Sequence, residues 1–512
     1  MQMLMNSQQP LSPPASSSDE SRHEGRDLRE WLALAESRGQ LLTIDAEVDP
    51  EEELSAITLM ATQRRGCEAL LFRNLKDDTS GSRILINMLG ASKERFALAV
   101  GLDPELSIRD MITATRQILN KRIPPKLIPR EQASVSEVLL TEGEIDLTRF
   151  PVPKFWPGDG GRYIGTGSVM LTRNPETGVL NAGVYRHQLH SANVIGLSMV
   201  PGRHGLRNCE AWWSRGRPAE VVVAYGIDPA LFIAATHSFG YDESELDVAG
   251  GLMGAPIELT DAAFIDLPIP ARAEFVIEGL VHKDHLEPEG PLGEWHGFYS
   301  SATASKPAID VKAVHHRKSP ILTAALMANH PSCEIGAYYA IVRSARICDN
   351  LEKMGVSGVV GAYAHPGAAN AYGLVVISLT QLFPGHASQV LALAAQCPAA
   401  AYCTKWIIAV DDDVDPTDID QVMWAMTTRA NPSDDIDVLR NTYTNRNDQS
   451  LAPDMRPYGS KALINACAPY KYIGLNPGRT FLRKRIYEGV VGRWKDLGFP
   501  GQAPVFSRFH EE

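Results

Sequence analysis

No Cys-x-x-Cys pair occurs in this sequence, although it holds seven cysteines: Cys67, Cys209, Cys333, Cys348, Cys397, Cys403 and Cys467. An odd number without close pairs argues against a zinc ribbon or a disulfide framework, so a reducing cytoplasm is expected. No apolar run reaches the roughly 18 residues that a membrane span needs. There is no basic surplus either, since the formal net charge is −12. That argues against DNA or RNA as the main partner, because phosphate binding needs a basic face. One small basic pocket is still compatible with it. His-Glu-x-x-His is missing, and no Gly-x-Gly-x-x-Gly opens a helix after a strand. The chain therefore lacks the zinc-hydrolase and dinucleotide-binding fingerprints.

What is present describes a globular chain. Hydrophobic residues make up 44% and charged residues 21% of 512 positions, enough for two or three domains. Residues 1–25 are polar and rich in Ser and Pro, without the basic start and apolar core of a signal peptide. They are expected to form a disordered tail. A helix is predicted from Asp27, with Leu28, Trp31, Leu32 and Leu34 on one face. LLTIDAEVD reads as a strand, PEEELSAITLMATQRR as a helix with Pro50 in its first turn, and ALLFRNL and RILINML as strands. This alternation predicts a small α/β domain over 26–125, closed by Pro124 and Pro125. The stretch 126–325 is richer in strands, among them GTGSVMLTRN, GVLNAGVYRHQL, ANVIGLSMV, AEVVVAYG, AEFVIEGLV and AIDVKAVHH, which points to a barrel or sandwich. One helix interrupts it, with Asp228 as its cap and Pro229 in its first position. From about 335 the α/β pattern returns. YGLVVISL, GHASQVLALAAQC and KWIIAVDDD read as strand, helix and strand, a parallel pair with a crossover. The end, TFLRKRIYEGVVGRWKDLG, reads as an amphipathic helix.

Four segments carry candidate chemistry. In PEGPLGEWHGF, residues 288–298, Glu289 and Glu294 lie on a stretch containing Gly290, Pro291 and Gly293. Such a stretch is neither a regular helix nor a central strand. It is a shaped loop that can aim carboxylates at a ligand, although two solvated glutamates explain it equally well. In NAGVYR, Asn181 offers an amide oxygen for a hard cation, and Arg186 a guanidinium suited to carboxylates. Positions five apart point to opposite faces of a strand, so a shared site requires a bulge or bend at Gly183. His204 follows the turn Pro201-Gly202-Arg203, and Glu245 stands in DESELDVAGGLMG. With Asn181 they make a plausible divalent-cation set. Asp411, Asp412, Asp413 and Asp415 resemble a metal cluster, but capping and solvation explain them at least as well. Trp212 and Trp213 are read as packing residues.

Together and in this order, these segments resemble the UbiD family of prenylated-FMN-dependent decarboxylases. VVVAYGIDPALFIAA, SELDVAGGLMGAPIEL and KWIIAVDDDVDPTDIDQVMWAMTTR extend the resemblance over nearly the whole chain after the tail. It implies an α/β (α+β) fold. The N-terminal α/β segment is followed by a split β-barrel-like cofactor domain over 126–325. A C-terminal α/β oligomerisation domain covers 326–475, and a terminal helix and tail cover 476–512. It implies that Asn181, His204 and Glu245 hold a manganese-like ion touching the cofactor phosphate. Potassium would share Glu245 and backbone carbonyls of 234–237. Gly183, Val184, Arg186, Arg203 and Lys405 would also contact the cofactor, Lys405 through its phosphate. Arg186, Glu289 and Glu294 match the family's Glu–Arg–Glu catalytic set, and Ile335 matches a substrate-pocket position.

In such enzymes the modified flavin accepts the electrons left when carbon dioxide departs from an sp² carbon. Arg186 would pair with Glu289 and orient the substrate, while Glu294 would return the proton. A small-molecule carboxylic acid is the expected substrate: phenolic, heteroaromatic, cinnamate-like or an aromatic CoA thioester. A flavin prenyltransferase would supply the cofactor, and a homodimer or a hexamer of dimers is the expected assembly. A metal-dependent hydrolase and a non-catalytic partner subunit are the competing readings, and the complete Glu–Arg–Glu set opposes the second.

Overall fold

A computed structural model describes residues 26–64, 66–90, 92–300, 303–473, 479–506 and 509. The tail expected over 1–25 lies outside them. The first helix, Leu28–Ser37, is closed by a capping box in which the Asp27 and Glu30 side chains bond each other's backbone amides. It buries Leu28, Trp31 and Leu32 of the predicted stripe, with Ala35 in place of Leu34, which is exposed. The second helix runs Glu53–Ala61, so Pro50 lies ahead of its first turn rather than in it. The adjoining sheet orders its strands Leu41–Ile44, Ala69–Phe72, Arg83–Ile86 and Ile321–Ala324. The fourth strand comes from far along the chain, and pairs parallel to Arg83–Ile86. No local pattern signals that join.

The central unit is a nine-stranded sheet curled into a half-barrel. Its path runs Tyr163–Gly165, His187–Ser191, Val194–Gly196, Ala304–His316, Phe275–Glu289, Ala219–Tyr225, Val169–Arg173 and Leu180–Gly183, with Val138–Leu140 added to Ala304–His316. Both faces of the sheet are buried. Val221, Val223 and Tyr225 enter one apolar core, while Val222 and Ala224 enter the other. Alternation between two buried faces is why AEVVVAY reads as a continuous apolar run. The predicted strand GVLNAGVYRHQL divides into Leu180–Gly183 and His187–Ser191. Within ANVIGLSMV only Val194–Gly196 is strand. The interrupting helix is Pro229–Ala235, with the Asp228 side chain accepting from Ala230 N at 2.8 Å.

The C-terminal sheet orders Val359–Ala364, Leu374–Leu379, Trp406–Asp411, Tyr458–Ala466 and Ile436–Tyr443. Leu374–Leu379 and Trp406–Asp411 pair in parallel across the helix His386–Gln396, as the sequence predicts. The acidic run is held by protein partners, with Thr380 donating to Asp412, Thr417 to Asp415 and arginines on the other two. Arg429 bridges Asp411 and Asp413, and Arg479 also reaches Asp413. Trp212 and Trp213 pack, their indole N–H groups donating to the carbonyls of Arg173 and Val281. The terminal helix is shorter than predicted, Lys484–Gly492, and leaves Phe481 outside it. All seven cysteines are free and buried. No helix among the described residues is long and apolar enough to cross a membrane.

Candidate active site

The chain leaves its edge strand at Gly183, which resolves the parity conflict between Asn181 and Arg186. Val184 and Tyr185 lie outside any strand, and Arg186 rejoins the sheet through a bridge to Ser198. Glycine is required at the departure point, because a Cβ there would stand 2.7 Å from the Tyr185 ring. Tyr185 in turn accepts Gly205 N at 3.1 Å, fastening the start of the helix His204–Trp213. His204 is therefore the first residue of one helix. Glu245 is the first residue of another, Glu245–Met253, capped by Ser244.

Asn181, His204 and Glu245 converge. Asn181 Nδ2 and Ala182 N donate to Glu245 Oε2 at 2.8 and 2.9 Å, and His204 Nδ1 lies 3.9 Å from Oε1. Asn181 Oδ1 is buried with no hydrogen-bond partner. Burial pushes the Glu245 carboxyl up to about 7, against the pull of the Ala182 and Asn181 donors. Burial also lowers the His204 imidazole, helped by Arg207 and Arg203, which favours the neutral ligand form. An orphaned amide oxygen, a neutral imidazole and an uncompensated carboxylate are the donor set a divalent cation takes. Among the described residues no group of three or more His, Cys, Asp or Glu forms a metal cluster. The asparagine oxygen is what gives this set its third donor.

The second constellation lies around Arg186. Its Nε and Nη2 donate to the two oxygens of Glu289 at 2.7 and 2.9 Å, a bidentate pair. Nη1 donates to Glu294 Oε1 at 2.5 Å, and Nη2 also reaches Ser300 Oγ at 3.3 Å. Glu289 ends the strand Phe275–Glu289, so the sheet fixes it. Glu294 is on the loop beyond, held by backbone bonds with Phe298 and Gly297. Asp159 accepts Gly293 N at 2.9 Å and Ser300 Oγ accepts Leu292 N at 3.0 Å, which sets the loop's shape. Burial raises the Glu294 carboxyl above the usual range, Arg186 opposes it, and Glu289 and Asp159 add to it. A carboxyl whose hold on its proton is strengthened by burial is suited to general-acid work.

Both constellations open on one cavity of about 450 Å³. Asn181, Gly183, Val184, Arg186, Arg203, His204, Glu245, Glu289, Glu294 and Ile335 all line it. Ala235, Thr236 and His237, from the segment expected to offer carbonyls to potassium, line it as well. Lys405 does not. Its ammonium is 2.6 Å from both Asp448 Oδ1 and Ser450 Oγ, so it anchors the segment that carries Arg446 and Asn447 to the cavity wall. Sequence reasoning missed Tyr163, Asp159, Gln188 and Ser300. The only available signal was the glycine-rich stretch PGDGGRY, whose Gly160 would bring a Cβ to 2.0 Å from the Gly290 carbonyl. Trp295 lines the cavity beside Glu294 and packs on Tyr372, with ring centroids 4.4 Å apart.

Comparison with known proteins places this geometry in context. Three family models match successive parts of the chain. They are the N-terminal domain of 3-octaprenyl-4-hydroxybenzoate carboxy-lyase at 32–115, its Rift-related domain at 126–330 and its C-terminal domain at 338–466. The Synechocystis protein sll0936 is 32% identical over 437 residues, covering 81% of this chain and 85% of its own length. Among solved structures, the vanillic acid decarboxylase of Sedimentibacter hydroxybenzoicus in closed form superposes with a TM-score of 0.81 at 28% identity, covering 92% of this chain and 98% of that one. HmfF of Pelotomaculum thermopropionicum, a UbiD-class enzyme in complex with FMN, superposes at 0.79 and 28% identity, covering 89% and 97%. An evolved dimeric form of HmfF in complex with prFMN superposes at 0.75 and 27% identity, with the same coverage.

Proposed function

The chain belongs to the UbiD family, and from that premise we propose that it is a carboxy-lyase that removes carbon dioxide reversibly and without net oxidation from an aromatic, heteroaromatic or α,β-unsaturated acid. Prenylated FMN is the proposed cofactor, supported by the FMN and prFMN complexes of HmfF. When bound, it supplies the electron sink for the carbon that loses its carboxylate. The observation that carries the reading is Arg186 clamped between Glu289 and Glu294 on the wall of a cavity that also holds Asn181, His204 and Glu245.

Each residue then has a task. Asn181 Oδ1, His204 and Glu245 would hold a manganese-like divalent ion, which would supply positive charge for the cofactor phosphate. Potassium is proposed beside it, on Glu245 and carbonyls of 234–237. Gly183 and Val184 let backbone approach the cofactor, and Arg203 adds positive charge. Lys405 acts on the cofactor through the segment it anchors. Arg186, held flat by Glu289, orients the substrate carboxylate. Glu294 donates the proton that replaces carbon dioxide. Ile335 and Trp295 bound the space for the acid, and the apolar walls exclude water. No observation favours the hydrolase or the non-catalytic reading.

The test is expression with a flavin prenyltransferase, followed by a panel of carboxylic acids with carbon dioxide detection. Decarboxylation that disappears when the prenyltransferase is omitted supports the proposal. Equal activity with unmodified FMN refutes the cofactor assignment, and no turnover across all the acid classes named refutes the reaction.

A further inference from the structure

The two carboxylates on Arg186 are not equivalent, and residues behind them make the difference. Glu289 receives Arg186 Nε, Arg186 Nη2 and the Tyr163 hydroxyl, the last at 3.2 Å. Among the described contacts the Glu294 side chain receives Arg186 Nη1 alone. Tyr163 is fully buried, and its hydroxyl has three acceptors within reach: Glu289 Oε1 at 3.2 Å, Gln188 Oε1 at 3.2 Å and the Pro291 carbonyl at 3.4 Å. The Gln188 amide is oriented by its neighbours. Its nitrogen donates to the Gly160 carbonyl at 3.2 Å, and its oxygen already accepts Gly290 N at 3.1 Å. One phenolic proton facing a carboxylate and two neutral acceptors goes to the charged one.

We propose that Tyr163 is a positioning residue whose hydroxyl keeps Glu289 the anion of the pair and so leaves the transferable proton on Glu294. The use of that proton rests on the decarboxylase reading, but its location does not. Other titratable groups couple electrostatically to the pair: Asp159 and Cys333 to Glu294, and His187 and His190 to Glu289. None of them hydrogen-bonds either carboxylate in the described contacts. Tyr163 is the one neutral donor that separates Glu289 from Glu294.

Infrared spectroscopy of the protein without substrate tests this, with the carbonyl stretch of a protonated carboxylic acid followed across pH. Burial raises the Glu245 and Glu334 carboxyls to about 7 as well, so the parent holds more than one acid band, and the one assigned to Glu294 is the band that vanishes in Glu294→Gln. In Tyr163→Phe, which keeps the ring, the proton should redistribute toward Glu289 by about tenfold, the worth of one hydrogen bond to a charged group. A further acid band should then appear, lost on adding Glu289→Gln. A Tyr163→Phe spectrum identical to the parent overturns the proposal, as does a parent spectrum from which Glu294→Gln removes no acid band. Gln188→Met serves as a companion should Tyr163→Phe fold poorly. It removes one neutral acceptor and should leave the band on Glu294, so movement of the proton to Glu289 in that variant also overturns the proposal. With any acid that is turned over, Tyr163→Phe should lower kcat more than it changes KM, and should move the acid limb of the pH profile upward. A parent protein that turns over no acid refutes the decarboxylase reading and leaves the infrared result standing.

Discussion

Replacing Glu294 with Gln and, separately, Glu289 with Gln should give opposite signatures, although the two residues share one arginine. Arg186 and Glu289 form a bidentate pair whose side chains are 19% and 2% exposed. Neutralising Glu289 leaves the guanidinium facing only a carboxyl that burial already drives toward its neutral form. Breaking one partner of a buried pair costs on the order of 3–5 kcal/mol. Glu294 differs because burial raises its carboxyl above the usual range. Burial disfavours its charged form, so a neutral amide of equal size should cost less here than at Glu289, about 1 kcal/mol or less.

The pH dependence follows from the same shift. A carboxyl with a raised folded pKa binds its proton more tightly in the folded chain than in the unfolded one. Its contribution to stability is complete below the unfolded pKa and is lost as pH rises through the folded pKa. Glu294→Gln should therefore gain stability relative to the parent as pH rises. Parent activity should fall over the same window, because a donor must be protonated. The variant should lose about 100-fold or more in kcat while keeping flavin. Urea denaturation at two pH values, flavin absorbance and carbon dioxide release measure these quantities. Parent-rate decarboxylation by Glu294→Gln, or a destabilisation equal to that of Glu289→Gln, would show that the proton comes from elsewhere.

Glu245→Ala should lose metal and flavin together, measured by metal analysis and flavin absorbance, and full occupancy of both would make Glu245 structural only. Gly160→Ala places a methyl carbon 2.0 Å from the Gly290 carbonyl. It should lower stability by roughly 1–3 kcal/mol, read from the change in Tm, and reduce activity as Glu289 shifts. The terminal helix leaves Ile486 54%, Val490 41% and Val491 40% exposed. A homodimer or larger assembly is therefore expected, and removal of residues 481–512 should reduce its size in sedimentation. A full-length monomer at micromolar concentration would refute that.

Legibility in the sequence ended where contacts became non-local. Asp27 and Asp228 cap helices that begin where their local sequence says, because capping acts over three residues. The strand Ile321–Ala324 could not be assigned to the N-terminal sheet, since a buried apolar run does not name its neighbour. Lys405 reads as a free phosphate ligand until Asp448, far along the chain, is seen to hold its ammonium. Tyr163 sits in RYIG with no partner at a recognisable spacing, yet it reaches Glu289 across the curled sheet. Glu289 and Glu294 were legible because Gly and Pro forbid regular structure around them, and a shaped loop is visible locally.

The same departure from the strand at Gly183 couples binding to chemistry. Asn181 ends in the cation set and Arg186 in the acid pair, with only Ala182 to Tyr185 between them. Tyr185 ties that short link to the start of the His204–Trp213 helix, so His204 and Arg186 are fastened to one piece of backbone. Asn181 Oδ1 without a partner and a carboxyl at Glu245 pushed up to about 7 both mark the cation side as incomplete alone. A cation there would satisfy the amide oxygen, restore the carboxylate and stiffen the strand end that carries Arg186. Loss of the cation set should therefore loosen Arg186, whereas loss of the Glu294 proton should leave the cation set intact. The contrast in flavin content between Glu245→Ala and Glu294→Gln is what separates a site that holds the cofactor from a group that uses it.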